Sequence, residues 1–600
     1  MTGKNKNSPK ILSKGKRIGF TLVVCVLPVF VLFLVEFGLR LANYGGDLEL
    51  FVRQRSSSSD DKYVLNANVT KRYFFQKGIK TPSPNSQIFS ATKDSSTYRI
   101  FCLGASTTQG FPYPPSASYP AMLQKVLSTV NSSKNFEVIN CGITAITSHS
   151  VLDMSREILA DYEPDLLVLY TGHNEFYGAL GQASRLSLFQ NRAMVRLFLE
   201  LHDSRLFLLL RDVAVKFFGA RLTRDSVIDH STFMGTVARD VNIPRDGSLF
   251  RRTRDHFRDN LFEIIEEAGK HSTPVVVSTL VSSLDFEPFG SLHSGSFVDA
   301  DTARWQQTIN EAGELQMSGQ FQEAAESYSQ TLGMDSCYAP VHYQLAKCYQ
   351  NLGRAELALQ HFVLARDFDP VRFRAPSAFN DVIREAGEKY DIPVVDSEEE
   401  FAKASPGGLV GQNLILEHVH PNQLGYLRIA KAMARKMSEH RILADGWDWT
   451  KDQSDSAYLS MSRLTALDRE VVNYRIFRLT SHWPFHTAGD ERPYARVGNE
   501  RTEEIARALV ADEDGSLVKA HLDLGLEFYD NNDLDGALAE YLAALEIEPA
   551  CETFNRIGLL FARKAETASR RTRDYAAAAA NFREALSFYE QGLESCPGYV

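Results

Sequence analysis

The chain has 600 residues, too many for one hydrophobic core, and ordinary domain sizes divide it into roughly three to five folding units. Hydrophobic residues at 44% and charged residues at 23% are globular values that exclude a disordered, collagen-like or many-span membrane protein. A formal net charge of −10 excludes general nucleic-acid binding, which needs a cationic surface, and the seven cysteines show neither a CxxC pair nor a zinc spacing, so no disulfide scaffold and no metal is expected.

The first element is apolar. Lys4, Lys6, Lys10, Lys14, Lys16 and Arg17 precede an uncharged run over 18–35, which continues past Glu36 to residue 41. Residues 18–41 are long enough to cross a bilayer as one helix, and Pro28 is tolerated in such a helix. The positive-inside rule keeps 1–17 in the cytoplasm and exports the rest, to a periplasmic or other extracytoplasmic side. No small-x-small site ends the run, and Val24 stands where a lipoprotein signal ahead of Cys25 needs a small residue. The segment therefore reads as an uncleaved anchor, with 42–96, including the serines at 56–59, as a polar linker.

Residues 97–440 read as an α/β domain in two parts, 97–300 and 371–440, with a helical insertion at 184–260 and a second insertion at 301–370. Strand candidates lie at 98–103, 136–139, 166–170, 275–277 and 392–395, separated by helical periods such as 119–130. Strands alternating with helices predict a parallel sheet covered on both faces. Chemistry in such sheets collects in the loops beyond the carboxyl ends of the strands. Those loops carry Gly104-Ala105-Ser106-Thr107-Thr108, Asn140-Cys141-Gly142 and Thr171-Gly172-His173-Asn174-Glu175. Near the end of the domain, Glu417-His418-Val419-His420-Pro421-Asn422 puts a carboxylate and an imidazole three residues apart, ahead of a helix over 424–437.

Taken in order, these four segments resemble the SGNH/GDSL hydrolase family, over 98–183 and 374–440. The resemblance implies a flavodoxin-like parallel sheet sandwiched by helices and a serine esterase or acylhydrolase that needs no cofactor. It makes Ser106 the nucleophile, His420 the base and Glu417 its orienting acid. The Ser106 and Gly142 backbone N–H groups and the Asn174 side chain would form the oxyanion hole. Elementary chemistry fits these roles, because a serine hydroxyl needs a base, the imidazole needs a carboxylate, and the oxyanion needs preorganised donors. The chain departs from the family at Ala105, where Asp is usual, and at Glu417, where Asp is usual; the first shapes a turn, and the second adds one methylene. His418 is a competing base, which the spacing from Glu417 places second to His420. His173 and Glu175 flank Asn174 and are placed to line the pocket or to serve the loop. Cys102 and Cys141 read as buried free thiols.

In the first insertion, 192–221 mixes Arg192, Arg196, Arg205, Arg211, Lys216 and Arg221 with apolar residues at helical spacing: Val195, Phe198 and Leu199, then Leu206, Leu209, Leu210 and Val213. It reads as cap helices packed on the domain, with a basic lid at the membrane surface as the alternative. The second insertion holds a repeat: Gly319, Ala324, Tyr328 and Asp335 recur 34 residues later as Gly353, Ala358, Phe362 and Asp369. The period resembles tetratricopeptide repeats. A second pair is expected in 516–600, marked by Gly525, Asp533, Ala537, Tyr541, Ala544 and Pro549, then by Asp574, Ala578, Phe582 and Ala585 at a spacing of 41. Two repeats alone are marginal, so each pair should dock on the hydrolase, on 441–515 or on a protein or peptide partner. The connecting region 441–515 carries Trp447, Trp449, Trp483, Pro484 and Phe485 and no legible chemistry.

The expected function is a membrane-anchored, exported hydrolase that cleaves acyl or acetyl esters, of envelope glycans or lipids by location, through an acyl-enzyme on Ser106. The alternatives are an envelope O-acyltransferase using the same triad and a repeat scaffold around a weakly active hydrolase-like module.

Overall fold

The computed structural model describes residues 14–55, 61–75, 81–187, 189–222, 233–238, 241–297, 301–486, 493–511 and 515–595. The basic tail up to residue 13 and the serine run at 56–59 lie outside these.

Helix α1, Lys14–Leu41, contains a stretch, Val23–Leu41, long and apolar enough to cross a membrane, and none of it is buried in the protein. The next residues do not form a spacer. The linker expected over 42–96 is instead a small antiparallel sheet of β1 (Phe51–Gln54), β2 (Lys62–Leu65) and β3 (Ile88–Ser90). Its Leu50, Phe51, Leu65, Tyr73 and Phe89 belong to the same apolar core as the main sheet. Arg72, buried at the seam, donates to Asp153 at 3.1 Å, to Glu157 at 2.6 Å and to the Leu48 carbonyl at 2.6 Å. A polar average over the segment hides this, because the strands are only three or four residues long and their apolar side chains are few.

The main sheet contains β4 (Thr97–Gly104), β5 (Asn135–Gly142), β6 (Leu166–Tyr170), β7 (Val275–Ser278) and β8 (Val394–Val395), in the order β5-β4-β6-β7-β8. Every pairing is parallel, and the order is the doubly wound one in which ligands sit beyond the strand carboxyl ends. The last strand is shorter than its expected span of 392–395, because Pro393 has no N–H to give a ladder and Val394–Val395 form the sheet edge. Helices α2 (Ser106–Gln109), α3 (Tyr119–Val130) and α4 (Ser148–Asp161) follow the first strands in turn.

The first insertion supplies α5 (Arg192–Glu200), α6 (Arg205–Leu222) and α7 (Phe233–Val237), and α8 (Ser248–Lys270) returns the chain to the sheet. As expected, α5 buries Val195, Phe198 and Leu199. Its arginines are spent internally, since Arg192, Arg196 and the α4 residue Arg156 converge on Glu263. The stripe expected on α6 differs: Leu208 is fully buried, whereas Leu210 and Val213 face outward. The cause is α1, whose Glu36 carboxylate accepts the backbone N–H groups of Arg205 at 3.1 Å and Leu206 at 2.7 Å, closing the first turn of α6.

The second insertion is all helical: α9 (Thr302–Met317), α10 (Phe321–Met334), α11 (Ala339–Asn351) and α12 (Ala355–Phe368). Positions 34 residues apart have matching surroundings. Gly319 and Gly353 both take positive φ at the hairpin turns, and Ala324 with Ala358, Tyr328 with Phe362 and Asp335 with Asp369 are all buried. The helices dock on the α/β domain, where Leu284 packs with Ala346, Ala358 and Phe362, and Asp369 accepts the Phe289 N–H at 2.9 Å and the Gly290 N–H at 3.2 Å.

Helix α13 (Ser377–Tyr390) precedes β8, then α14 (Ser397–Lys403) and α15 (Gln423–Glu439) complete the domain. The connecting region forms α16 (Asp455–Ser460), α17 (Ala466–Thr480) and α18 (Glu500–Ala511), and the carboxyl-terminal segment forms α19 (Leu517–Asp530), α20 (Leu534–Ile547), α21 (Cys551–Thr567) and α22 (Tyr575–Ser595). The terminal helices are fixed to α17 through His521, whose ring meets Asp468 at 3.1 Å and Glu540 at 2.6 Å. Although burial works against its charge, the two carboxylates push His521 up to about 9. Tyr541 is buried and its counterpart Phe582 is half exposed, because α22 is the last described helix of the stack. The cysteine spacings indicate no disulfide scaffold, and one cysteine, Cys551, is disulfide-bonded.

Candidate active site

Gly104 ends β4 where a Cβ would lie 2.1 Å from the Tyr170 carbonyl oxygen and 2.2 Å from Thr108 Oγ1. The glycine is required by this close approach, which lets the chain turn and present Ser106 at the first position of α2. Opposite it stands the loop 414–422, held as a tight hairpin by the Leu416 N–H to His420 O bond (2.8 Å) and the Asn422 N–H to Leu414 O bond (2.8 Å). Asn422 caps α15 by accepting the Gly425 N–H at 2.9 Å, as its place before the helix leads one to expect. The first turn of α15 ties this hairpin to the serine loop: Tyr426 donates to the Phe111 carbonyl at 2.6 Å, and the Gln423 N–H donates to Tyr113 Oη at 3.2 Å.

Residues 314 apart in sequence thus meet. Ser106 Oγ lies 2.8 Å from His420 Nε2. The other ring nitrogen, Nδ1, contacts Glu417 Oε1, which also accepts the His420 backbone N–H at 3.0 Å. A carboxylate on Nδ1 fixes the proton there and leaves Nε2 as the acceptor for the serine hydroxyl. Glu417 is buried, which works against its charge, yet the His418 and His420 rings hold it well below the usual carboxylate range. His418 takes the second oxygen, Oε2, with its own Nδ1, and its ring centre is 6.0 Å from that of His420. One carboxylate therefore orients two imidazoles, only one of which touches Ser106.

Three N–H groups on the wall of the same cavity make no hydrogen bond among the described residues: the Ser106 and Ala145 backbone N–H groups and the Asn174 side-chain amide. The expected donor Gly142 is not one of them. Its N–H donates to Asn140 Oδ1 at 2.9 Å, and it lies inside β5 opposite Gly104, where a Cβ would sit 2.1 Å from the Gln109 nitrogen. Close packing under α2, not anion binding, requires that glycine. Three residues on, Ala145 reaches the cavity by adopting a φ of 61°, the left-handed conformation that non-glycine residues seldom take.

His173 and Asn174 both line the cavity. Glu175 does not; its carboxylate accepts the Ser148 N–H and Ser148 Oγ–H, both at 2.8 Å, locking the Asn174 loop to the start of α4. Burial pushes Glu175 up to about 7. Cys102 and Cys141 are buried free thiols, as expected.

The cavity is about 210 Å³, and apart from these polar groups its wall is apolar: Phe111, Tyr177, Met234, Val237, Phe373 and Leu479. Met234 and Val237 come from α7, so among the described residues it is this part of the first insertion, and neither α5 nor α6, that borders the site. Leu479 comes from the connecting region, and Phe485 packs against His418 at a ring separation of 5.2 Å. Phe289, the residue whose N–H is held by Asp369, meets His418 at 5.4 Å. Neither contribution carries a motif in the sequence.

No family model matches the chain, and no curated protein does. Solved structures of esterases and acylhydrolases do align with it. The lipase/acylhydrolase from Enterococcus faecalis is 13% identical, with 57% of this chain and 96% of that one covered and a TM-score of 0.25. The R55A mutant of Axe2, an acetyl-xylooligosaccharide esterase from Geobacillus Stearmophilus, is 12% identical over 60% of this chain and 100% of its own, at a TM-score of 0.27. AlinE4, an SGNH-hydrolase family esterase, is 13% identical over 58% and 99%, at 0.22. Likenesses of that strength carry no argument; the chemistry of the site is read from its own distances.

Proposed function

We propose that the chain is a membrane-anchored serine hydrolase of the SGNH type that cleaves acyl esters through an acyl-enzyme on Ser106. The observation that carries this is the 2.8 Å contact between Ser106 Oγ and His420 Nε2, with Glu417 on the far nitrogen and three unpaired donors alongside. In the first step Oγ attacks the ester carbonyl while Nε2 takes its proton. The carbonyl oxygen becomes an oxyanion facing the Ser106 and Ala145 N–H groups and the Asn174 amide. The tetrahedral intermediate collapses as the imidazolium returns the proton to the leaving alkoxide, which departs as the alcohol. Water then attacks the acyl-serine by the same route, releasing the carboxylic acid and free Ser106; an alcohol in place of water would complete acyl transfer instead. A cavity of about 210 Å³ suits a short acyl group such as acetyl.

Turnover of 4-nitrophenyl acetate by the full chain tests the reading. Asn174→Ala is expected to lower kcat by roughly 10²–10³-fold, the usual effect of removing one oxyanion donor. Equal rates for variant and wild type, or no turnover by the wild type, would defeat it.

Anchoring through α1 with the domain outside the cytoplasm is supported by its exposed apolar surface, by the basic residues ahead of it and by the disulfide at Cys551, a bond that persists in oxidising compartments. Protease added to spheroplasts is expected to digest the large domain; full protection would reverse the orientation. The helical segments are read as tetratricopeptide repeats on the 34-residue equivalences of 301–370 and the 41-residue equivalences of 516–600. Their docked faces brace the hydrolase, and their remaining groove is the place for a peptide or protein partner.

A further inference from the structure

We infer that His173 is a substrate-binding residue, whose Nε2–H takes an uncharged oxygen acceptor of the ester other than its scissile carbonyl. The inference rests on the ester-hydrolase reading above. His173 follows Gly172 in the loop after β6, and its ring belongs to the cavity wall beside Ser106, Asn174, His418 and His420. Its Nδ1 lies 3.2 Å from the backbone nitrogen of Ala375, which can only donate. That N–H forces Nδ1 to be the acceptor and puts the ring proton on Nε2. Nε2 is buried, the residue being 8% exposed, and has no hydrogen-bond partner among the described residues. A buried donor is ordinarily paired, and one left unpaired in a residue that lines a substrate cavity is a donor kept for the substrate.

Which oxygen it takes follows from its neighbours. The scissile oxygen already has the Ser106 and Ala145 N–H groups and the Asn174 amide. A fourth donor on the same wall therefore serves a different atom. Burial, with His418 and His420 nearby, pushes His173 down to about 3, so the ring stays neutral and offers a dipole rather than a charge. Among the described residues the cavity wall has no lysine or arginine, so a carboxylate would enter it uncompensated. The acceptor is then an ether, hydroxyl or carbonyl oxygen within a few bonds of the ester, the pattern of acylated polyols and sugars and of oxygenated acyl groups.

The test uses two isosteric ester pairs with the full chain. One pair, 4-nitrophenyl methoxyacetate and butanoate, differs by an oxygen in the acyl part; the other, 2-methoxyethyl and butyl acetate, differs by an oxygen in the alcohol part. Ratios of kcat/KM within each pair are compared between wild type, His173→Asn, His173→Phe and His173→Gln, after fluorophosphonate labelling has reported the state of Ser106. Removing the donor from the Nε2 position, by His173→Asn, whose shorter amide does not reach it, and by His173→Phe, which has none, is expected to lower the oxygen-to-methylene ratio about tenfold in one pair, with partial recovery in His173→Gln, whose amide N–H extends to that position. The pair that responds shows whether the acyl or the alcohol part carries the acceptor. Unchanged ratios in active variants would overturn this inference and leave the hydrolase reading standing. An equal fall for all four esters would also overturn it, by placing the donor on the scissile oxygen. Loss of labelling in all three variants would make His173 structural. A wild type that hydrolyses none of the esters would remove both the inference and the reading it rests on.

Discussion

Replacing His420 by alanine is expected to lower kcat/KM for 4-nitrophenyl acetate by roughly 10⁴–10⁶-fold, with little change in the affinity for unreacted ester. The imidazole accepts the proton as the Ser106 oxygen attacks, and Nε2 is the base at hydrogen-bond distance, 2.8 Å. Without it the hydroxyl stays protonated at neutral pH and is a poor nucleophile. His418 is the obvious rescuer, and the geometry excludes it. Its Nδ1 is committed to the second oxygen of Glu417, its ring stands at 83° to that of His420, and it is packed among Phe289, Phe373 and Phe485. Reaching Ser106 would mean abandoning that carboxylate and giving up those aromatic contacts. The oxyanion donors survive the substitution, so some residual rate over water is expected. Steady-state kinetics with active-site titration measure the effect, and a loss of less than tenfold would mean that another group takes the proton.

Glu417→Gln is expected to cost about 10⁴-fold in kcat while leaving KM near its wild-type value. The side chain keeps its length, but an amide has one acceptor oxygen where the carboxylate has two. Two Nδ1 atoms and the backbone N–H groups of His418, Val419 and His420 all converge on Glu417, so the amide nitrogen must face at least one donor. The His420 ring then loses the partner that keeps its proton on Nδ1 and stabilises the imidazolium. The charge also matters: both rings together hold Glu417 ionised in spite of its burial. Rates and KM for wild type and variant decide the matter, and an unchanged kcat would assign ring orientation to another carboxylate.

The loops of the candidate site are legible in the sequence because three are short runs at the carboxyl end of a strand and the fourth immediately precedes a helix, places where residue type and position together imply chemistry. Ser106, Asn174, Glu417 and His420 could be placed that way, and the structure brings them to one rim. The third donor could not. Gly142 looks like an anion-binding residue, but a glycine is also what a tight strand–helix contact demands, and the distinction lies in whether Gln109 and Asn140 press on it. Ala145 serves through backbone conformation alone, and alanine gives no sign of a positive φ. The walls from Leu479 and Phe485 are invisible for a related reason: apolar residues in a connecting segment state that they are buried, not against what. The small sheet formed by β1, β2 and β3 is not legible because its strands, three or four residues long, hold too few alternations to stand out. The outward-facing residues of α6 depend on Glu36, some 170 positions earlier, which sequence spacing within a helix cannot reveal.

The most direct measurement of the central claim is peptide mapping by mass spectrometry after a fluorophosphonate has reacted with the full chain. One phosphonyl adduct, on Ser106, with none in Ser106→Ala, is the predicted result. An adduct that persists in Ser106→Ala, or ester turnover by a wild type that takes no adduct, would contradict it.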